Sequence, residues 1–175
     1  AKERSGGAVL GASGDKLTFT QPSVIELGEP GTLSIGSTIS GTSALTIRTA
    51  GDRASAFNAI LQLDGTNPEF SGELRVENAT LKGAGVNSLG SGDLFLINAT
   101  LDVDYNLSQV GGRLDIQGDA SRVILDQTLT FGEFTINDGA IAVPEGVYDF
   151  DGLATVFDGG LQPIFIDGGG LLVVG

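Results

Sequence analysis

The chain has 175 residues, of which 28 are glycine, and it contains no cysteine, histidine, methionine or tryptophan. It carries 22 acidic and 9 basic residues, a formal net charge of −13. Without histidine or cysteine it cannot build a serine–histidine–aspartate triad, a cysteine nucleophile, a disulfide framework, or a zinc, haem or iron–sulfur site that uses these ligands. The negative charge repels phosphate backbones and anionic lipid, so we expect neither nucleic acid nor a membrane as a partner.

The first residues of the chain contain an apolar triplet, Ala8, Val9 and Leu10, after a charged leader. One interpretation is a frayed terminus or a cap of the first repeat, and the other is a strand that pairs with a neighbouring molecule. Because the chain begins with alanine and lacks methionine, we expect a processed or excerpted product. Removal of a signal peptide is one economical explanation, and a fragment cut from a longer protein is the alternative; we expect a secreted protein.

Apolar and polar residues alternate along most of the chain, which is the period of a half-buried strand. A helical pattern occurs only over 53–59, for about two turns at most. Glycine, asparagine, aspartate or proline interrupts every run and indicates turns. The pattern therefore predicts an all-β sandwich, barrel or solenoid. In chain order the predicted strands include 16–20, 24–27, 32–35, 44–48, 60–63, 73–77, 93–97, 113–117 and 133–137.

An internal repeat favours the solenoid among these architectures. The segment 74–81 returns as 95–101, and the shared Asn-Ala-Thr-Leu at 78–81 recurs at 98–101. Looser echoes follow at 114–120, with a slightly shorter offset, and at 136–141, with a slightly longer one. Each echo has a polar corner, where asparagine fits because it tolerates left-handed backbone geometry. An interval of about 20 residues is typical of solenoids, in which each coil buries its inward face on its neighbours.

Four segments, 39–47, 61–72, 74–81 and 88–94, together resemble the autotransporter-associated (passenger-associated) β-strand repeat, and the match covers about residues 36–103. The C-terminal segments are similar to the tails of secreted bacterial repeat proteins. The chain departs from the family pattern where Asn-Ala-Thr replaces the usual Asn/Gly-Gly-Thr. The resemblance implies an exported, right-handed parallel β-solenoid that serves as a stalk, adhesin or matrix component, and it implies no catalytic residues.

We therefore expect one all-β domain over 1–175, a right-handed parallel β-helix with coils of about 20 residues. Residues 1–15 would form a flexible, cap or assembly segment, 16–143 the coils, and 144–175 the last coils and a cap. The expected function is non-catalytic, structural or adhesive, at a bacterial cell surface or in the extracellular matrix. The expected partner is the chain itself, in an oligomer or in fibres built by β-strand addition.

Two segments are the candidates for assembly. The first is the N-terminal apolar triplet, Ala8, Val9 and Leu10. The second is the last apolar stretch, whose edge invites pairing with another chain unless the fold caps it. That stretch consists of Leu171, Leu172, Val173 and Val174.

Two alternative functions remain open. A carbohydrate-binding module of a larger secreted enzyme would use aromatic faces against extracellular polysaccharide, and Tyr105 and Tyr148 are the only polar aromatics. A small polysaccharide-active β-helix enzyme would use paired carboxylates, such as Asp102 and Asp104. The strand phenylalanines Phe95, Phe131 and Phe134 are assigned to the core.

No cofactor is expected, and calcium is the one ion that the composition leaves open. Calcium prefers hard oxygen ligands, and these are abundant in a chain of this charge. The best candidate ligands are Asp149, Asp151 and Asp158. No EF-hand loop and no Gly-Gly-x-Gly-x-Asp nonapeptide supports them.

Overall fold

A computed structural model describes residues 6–11, 14–27, 31–49, 59–156 and 164–175. These residues form mainly β-strands in parallel sheets, so the all-β prediction is confirmed. The helical pattern over 53–59 falls almost wholly outside the described residues. The strands are β1 (Gly6–Leu10), β2 (Lys16–Thr18), β3 (Ser23–Leu27), β4 (Gly31–Ile35), β5 (Thr38–Ser40), β6 (Leu45–Thr49), β7 (Ala59–Leu63), β8 (Leu74–Glu77), β9 (Thr80–Gly83), β10 (Leu94–Ile97), β11 (Thr100–Val103), β12 (Leu107–Gln117), β13 (Arg122–Leu125), β14 (Thr128–Ile136), β15 (Ile141–Val143), β16 (Gly146–Tyr148), β17 (Phe165–Asp167) and β18 (Leu171–Val174).

The one helix of the described segments, α1, spans Phe150–Val156 and was not predicted from the sequence. It is a short element near the C-terminal end. Among the described residues, no helix combines the length and the apolar character that a membrane span needs.

The strands form two large sheets and one small sheet. The seven-stranded sheet has the order β1-β4-β7-β9-β11-β13-β17. The nine-stranded sheet has the order β16-β18-β14-β12-β10-β8-β6-β3, with β15 beside β14, and β2 pairs with β5. From β7 to β14 the chain passes from one large sheet to the other at every step. All pairs are parallel except β14–β15 and β16–β18.

Strand pairing repeats at one interval along β8, β10 and β12, whereas β11 and β13 pair at an interval two residues longer, with Thr100 beside Arg122. Leu74 pairs with Leu94, and Leu94 pairs with Leu114. The interval predicted from the two Asn-Ala-Thr-Leu segments is thus confirmed, whereas the shorter and longer offsets of the later echoes are wrong. Ile116 pairs with Ile136 at the same interval. The offset predicted for the echo at 114–120 is too short because the pattern aligns the corner Asn98 with Gln117. Gln117 still lies in β12, before the corner.

The corners between the sheets use left-handed backbone conformations. Asn78 and Asn98 have φ angles of 53° and 47°, which confirms the predicted role of asparagine at these corners. Gly118 has a φ of 81° and follows Asn98 at the same interval by which Asn98 follows Asn78, so it is the true counterpart of the corner. Glycine takes this conformation without the steric penalty of a Cβ atom.

A ladder of glycines follows the same interval beside the nine-stranded sheet. Its members are Gly72, Gly92, Gly112 and Gly132. A Cβ atom on Gly92 would lie 2.1 Å from the carbonyl oxygen of Gly72, and one on Gly132 would lie 2.3 Å from that of Val110. Successive layers can approach this closely only because these positions lack a side chain.

One hydrophobic core runs along both large sheets and is built from their alternate, inward-facing residues. Phe131 and Phe134 belong to it, as predicted. Phe95 is buried, at 4% exposed, but it does not join this cluster. Phe95 alternates with the core residues Leu94 and Leu96, so it lies on the opposite, outer face of the sheet.

Candidate functional site

Strands β1, β2 and β3 each end a sheet, and together they form what we call the N-terminal edge. Within the described part of the chain, β1 pairs only with β4, β2 only with β5, and β3 only with β6. One backbone edge of each strand therefore has no strand partner. Unpaired parallel edges are templates for pairing with another chain.

Inward-facing residues at the N-terminal edge are only partly covered. Leu10 is 38% exposed, whereas Ile35, its partner on β4, is 1% exposed. The first layer of the stack thus presents apolar side chains that lack a further layer above them. The same contrast holds for Leu17 beside Ile39 and for Ile25 beside Ile47.

The N-terminal edge also exposes two valines. Val9 on β1 is 75% exposed, and Val24 on β3 is 55% exposed. The predicted assembly segment, Ala8 to Leu10, is therefore the first strand of the seven-stranded sheet, and its own chain pairs only one of its edges.

At the opposite, C-terminal end, the nine-stranded sheet ends in the three-residue strand β16 and the seven-stranded sheet in the three-residue strand β17. Strand β18 pairs with β14 along one edge and with β16 along the other. The candidate assembly residues Leu171, Leu172, Val173 and Val174 are thus capped within the chain, which is the alternative that the sequence left open. Leu172 and Val174 are buried.

Three short elements form this C-terminal cap. Helix α1 places Leu153 in the core and contacts β16 and β17. Strands β15 and β16 have only three residues each, and Pro144 and Glu145 lie between them. Very short strands, proline and charge are the usual means by which sheet edges avoid pairing with other molecules.

A buried aspartate holds the start of the cap in place. Asp115 on β12 is fully buried, and its carboxylate accepts hydrogen bonds from the Thr135 hydroxyl and, at 2.8 Å, from the Gln117 side-chain amide. It also accepts the backbone N–H groups of Asp138 at 3.2 Å and Gly139 at 3.3 Å. The carboxylate therefore fixes the turn that folds β15 back onto β14.

The turn at 137–139 needs such a clamp because its three residues have positive φ angles of 55°, 56° and 81°. Burial alone raises the pKa of Asp115. The hydrogen bonds from Thr135, Gln117 and the turn outweigh it, so the pKa lies below its usual value. The side chain is thus held as a carboxylate.

Charge is distributed unevenly between the two ends. Residues 1–53 carry five basic and five acidic side chains, so this part of the chain is neutral. Residues 54–175 carry four basic and seventeen acidic side chains, and they hold the entire charge of −13. The N-terminal edge belongs to the neutral part.

The structure does not bring the two tyrosines together. Tyr105 follows β11, is half-buried, and lies 3.1 Å from the Ser88 hydroxyl oxygen. Burial raises the pKa of Tyr105, and hydrogen bonds at Ser88 and Leu89 oppose it. Tyr148 belongs to β16 and donates a hydrogen bond to the Pro144 carbonyl at 2.9 Å. Both rings pack against the core, so neither is a free platform for a sugar ring.

The candidate calcium ligands have local structural roles where the structure describes them. Asp149 caps α1, since its carboxylate accepts the Gly152 N–H at 2.7 Å. Asp151 lies exposed in the first turn of the helix. Asp158 lies outside the described residues. Within the described ranges, no three acidic side chains lie close enough together to hold a metal ion.

The aspartates proposed for an enzyme are not an isolated carboxylate pair. Asp102 on β11 forms an ion pair with Lys82, with 2.6 Å between the Nζ and Oδ2 atoms. The hydrogen bond and charge of Asp102 raise the pKa of Lys82 against the effect of burial. Asp104 lies exposed just beyond the strand.

A second surface feature lies on the outer face of the nine-stranded sheet. The guanidinium groups of Arg75 and Arg113 each lie 4.9 Å from the centre of the Phe95 ring. They cover a phenylalanine that points away from the core. Beside them lies a shallow depression of about 320 Å³, lined by Asp93, Gly111, Gly112, Arg113, Gly132 and Glu133.

Replacing either arginine of this cluster should cost a small amount of stability. We expect Arg75→Ala and Arg113→Ala each to lower the free energy of unfolding by about 1 kcal/mol, because each removes one cation–π contact and uncovers Phe95. Arg75→Ala also removes an ion pair with Glu73, at 3.1 Å between the Nε and Oε1 atoms. Urea denaturation measures the effect. Arg48→Ala is the control, since it removes only an exposed ion pair with Glu26. Equal losses in all three variants would contradict a role for the Phe95 contacts.

Comparisons with known proteins add no family to this description: no family model matches the chain, and neither a curated protein nor a solved structure is found to be similar.

Proposed function

We propose that the chain is a non-catalytic structural or adhesive protein with a right-handed parallel β-solenoid fold, and that it self-associates through its N-terminal edge. A solenoid requires each coil to add one strand to each sheet. The passage of the chain between the two large sheets, and the common register along β8, β10 and β12 and along β7, β9 and β11, support this fold.

The N-terminal edge is the single observation that carries the self-association. Within the described residues, three strands with unpaired edges lie at the end of their sheets, and the inward-facing Leu10, Leu17 and Ile25 of that layer are only partly buried. A further layer of strands would satisfy the backbone groups and bury these side chains. A second molecule can supply such a layer by strand addition.

The site of action is proposed from different grounds. The resemblance to the autotransporter-associated repeat supports export and a place at a bacterial cell surface or in the extracellular matrix. The glycan-binding alternative loses support, because the rings of Tyr105 and Tyr148 pack against the core.

Lysine substitutions at the N-terminal edge test the proposal. Val9→Lys and Val24→Lys each place a charge on an exposed edge strand, and we expect each to weaken association by about tenfold or more. Sedimentation velocity over a range of concentrations measures the effect. Because both valines are exposed, the fold should tolerate the change.

Val110→Lys is the matched control for these variants. Val110 is 59% exposed, but it lies at the irregular centre of β12, a strand in the interior of the nine-stranded sheet and not at its edge. The Val110→Lys variant should associate as strongly as the unaltered chain. If the unaltered chain stays monomeric at every concentration, or if Val110→Lys weakens association as much as the edge variants do, the proposal is wrong.

A further inference from the structure

We infer that the partner of the N-terminal edge is the N-terminal edge of a second copy, so that two molecules join N-end to N-end in a closed two-fold dimer. The inference rests on the proposed self-association and specifies which surfaces of the two molecules are in contact. It differs from the fibre expected from the sequence, because a closed dimer leaves no complementary end for further growth.

The two ends of the molecule differ in the way that such a dimer requires. A fibre that grows head to tail needs an open edge at both ends. Here, within the described residues, β1 and β3 offer open edges of five residues, whereas the strands that end the two large sheets at the C-terminal end, β16 and β17, have only three residues each and both contact α1. A surface that is complementary only to an identical surface on a second copy forms an isologous contact.

Like edges can pair with one another. A two-fold axis through the middle of a strand places it antiparallel to its own copy, and antiparallel pairing satisfies the N–H and C=O groups of both edges. Strands β1 and β3 have five residues each, longer than the three-residue strands of the cap. They therefore offer the longer edges for such pairing.

Side-chain charge on the edge strands does not oppose the contact. Lys16 on β2 forms an ion pair with Glu69 at 2.5 Å, and Glu26 on β3 forms one with Arg48 at 2.6 Å. Strand β1 contains no charged residue. Each charged side chain of the three strands is thus already neutralised within its own molecule.

The distribution of charge over the whole chain favours the same arrangement. The segment 54–175 carries the charge of −13, and residues 1–53 are neutral. An N-to-N contact joins the neutral parts and keeps the two acidic parts at the far ends of the dimer. Beyond about 8–10 Å at physiological salt, repulsion between exposed charges is largely screened.

The test combines mass with distance measurements on the full chain. Light scattering during size-exclusion chromatography should show a species of twice the 17.8 kDa chain mass that does not grow with concentration. Because the chain has no cysteine, Thr46→Cys and Val147→Cys each introduce a unique site for a spin label. Thr46 lies on the outer face of β6, beside Val24 but outside the edge strands, and Val147 is exposed, so neither label should disturb the core or the N-to-N contact.

Pulsed electron–electron double resonance on the dimer should give a short distance between two Thr46→Cys labels, within about 30 Å, since each label lies one strand, about 5 Å, from the contacting edge. Two Val147→Cys labels should lie far beyond that distance. A head-to-tail contact would instead give a short distance only between a Thr46→Cys label and a Val147→Cys label, in a mixture of the two variants.

The outcomes separate the inference from the proposal on which it rests. A short Thr46–Thr46 distance in a dimer supports the inference. Species that grow with concentration, or a short distance only in the mixed sample, would overturn it while self-association stands. A monomer at every concentration would overturn both.

Discussion

Gly92→Ala is expected to destabilise the fold by about 3 kcal/mol, a large loss for a substitution that adds one methyl group. The new Cβ atom would lie 2.1 Å from the carbonyl oxygen of Gly72, and that oxygen belongs to the backbone and cannot rotate away. The two layers must therefore separate at this point, which strains the pairing of β8 with β10.

Gly111→Ala is the control for this substitution. A Cβ atom on Gly111 meets no atom within 4 Å, although the residue lies next to Gly112 of the same ladder. Urea denaturation followed by circular dichroism compares the two variants. We expect Gly111→Ala to change the free energy of unfolding by less than about 1 kcal/mol. Similar losses in both variants would show that the ladder does not set the spacing of the layers.

Asp115→Ala should lower the free energy of unfolding by about 3 kcal/mol, because the change leaves the Thr135 hydroxyl, the Gln117 amide and two backbone N–H groups without their shared acceptor. Asp119→Ala is the control, because Asp119 is exposed in a nearby turn. We expect a change of less than about 0.5 kcal/mol there. Hydrogen exchange should show the loss at the turn 137–139 and at β15 first.

The contribution of Asp115 to the free energy of unfolding should decrease as the pH falls. The folded state lowers the pKa of this carboxyl below its usual value, so the unfolded chain takes up the proton first as the pH falls. The stabilisation should be complete above about pH 5 and decline as the pH falls below about 4. A gap between the unaltered chain and Asp115→Ala that widens as the pH falls from about 5 to about 3 would contradict this account.

The strand positions and the repeat interval were predictable because both depend on local pattern. Alternation places strands to within a few residues, as at 60–63 against the observed Ala59–Leu63. Asn78 and Asn98 identified the corners because few residues other than glycine accept a positive φ. At the next corner, Gly118 stands where the two preceding repeats have asparagine. A search for asparagine therefore predicts the wrong position for this corner.

Other features depend on contacts between distant residues, and the local sequence does not contain them. Alternation gives Phe95 the face opposite Leu94 and Leu96, but only the tertiary structure shows that Arg75 and Arg113 cover its ring. Helix α1 contains glycine, threonine and valine, which are weak helix formers. It is supported by the Asp149 cap and by burial of Leu153.

The sequence does not distinguish the five-residue edge strands β1 and β3 from the three-residue strands β16 and β17 that end the sheets at the C-terminal end. Both termini carry short apolar runs, at Ala8–Leu10 and at Leu171–Val174, and each was a candidate for assembly. The difference arises from the antiparallel strand β16, which occupies the free edge of β18. Strand direction is a property of topology, and the residue pattern of a three-residue strand does not encode it.

The common register along β8, β10 and β12 makes the length of this molecule adjustable in whole steps. Leu74, Leu94 and Leu114 occupy equivalent positions in successive layers, so excision of one repeat, for example 75–94, would join two matching backbones. Each step would shorten each large sheet by one strand, about 4.8 Å. Duplication of the same segment would lengthen them equally, while both ends and their different chemistry stay unchanged. Such a protein can evolve as a spacer whose reach is set by the copy number of one segment.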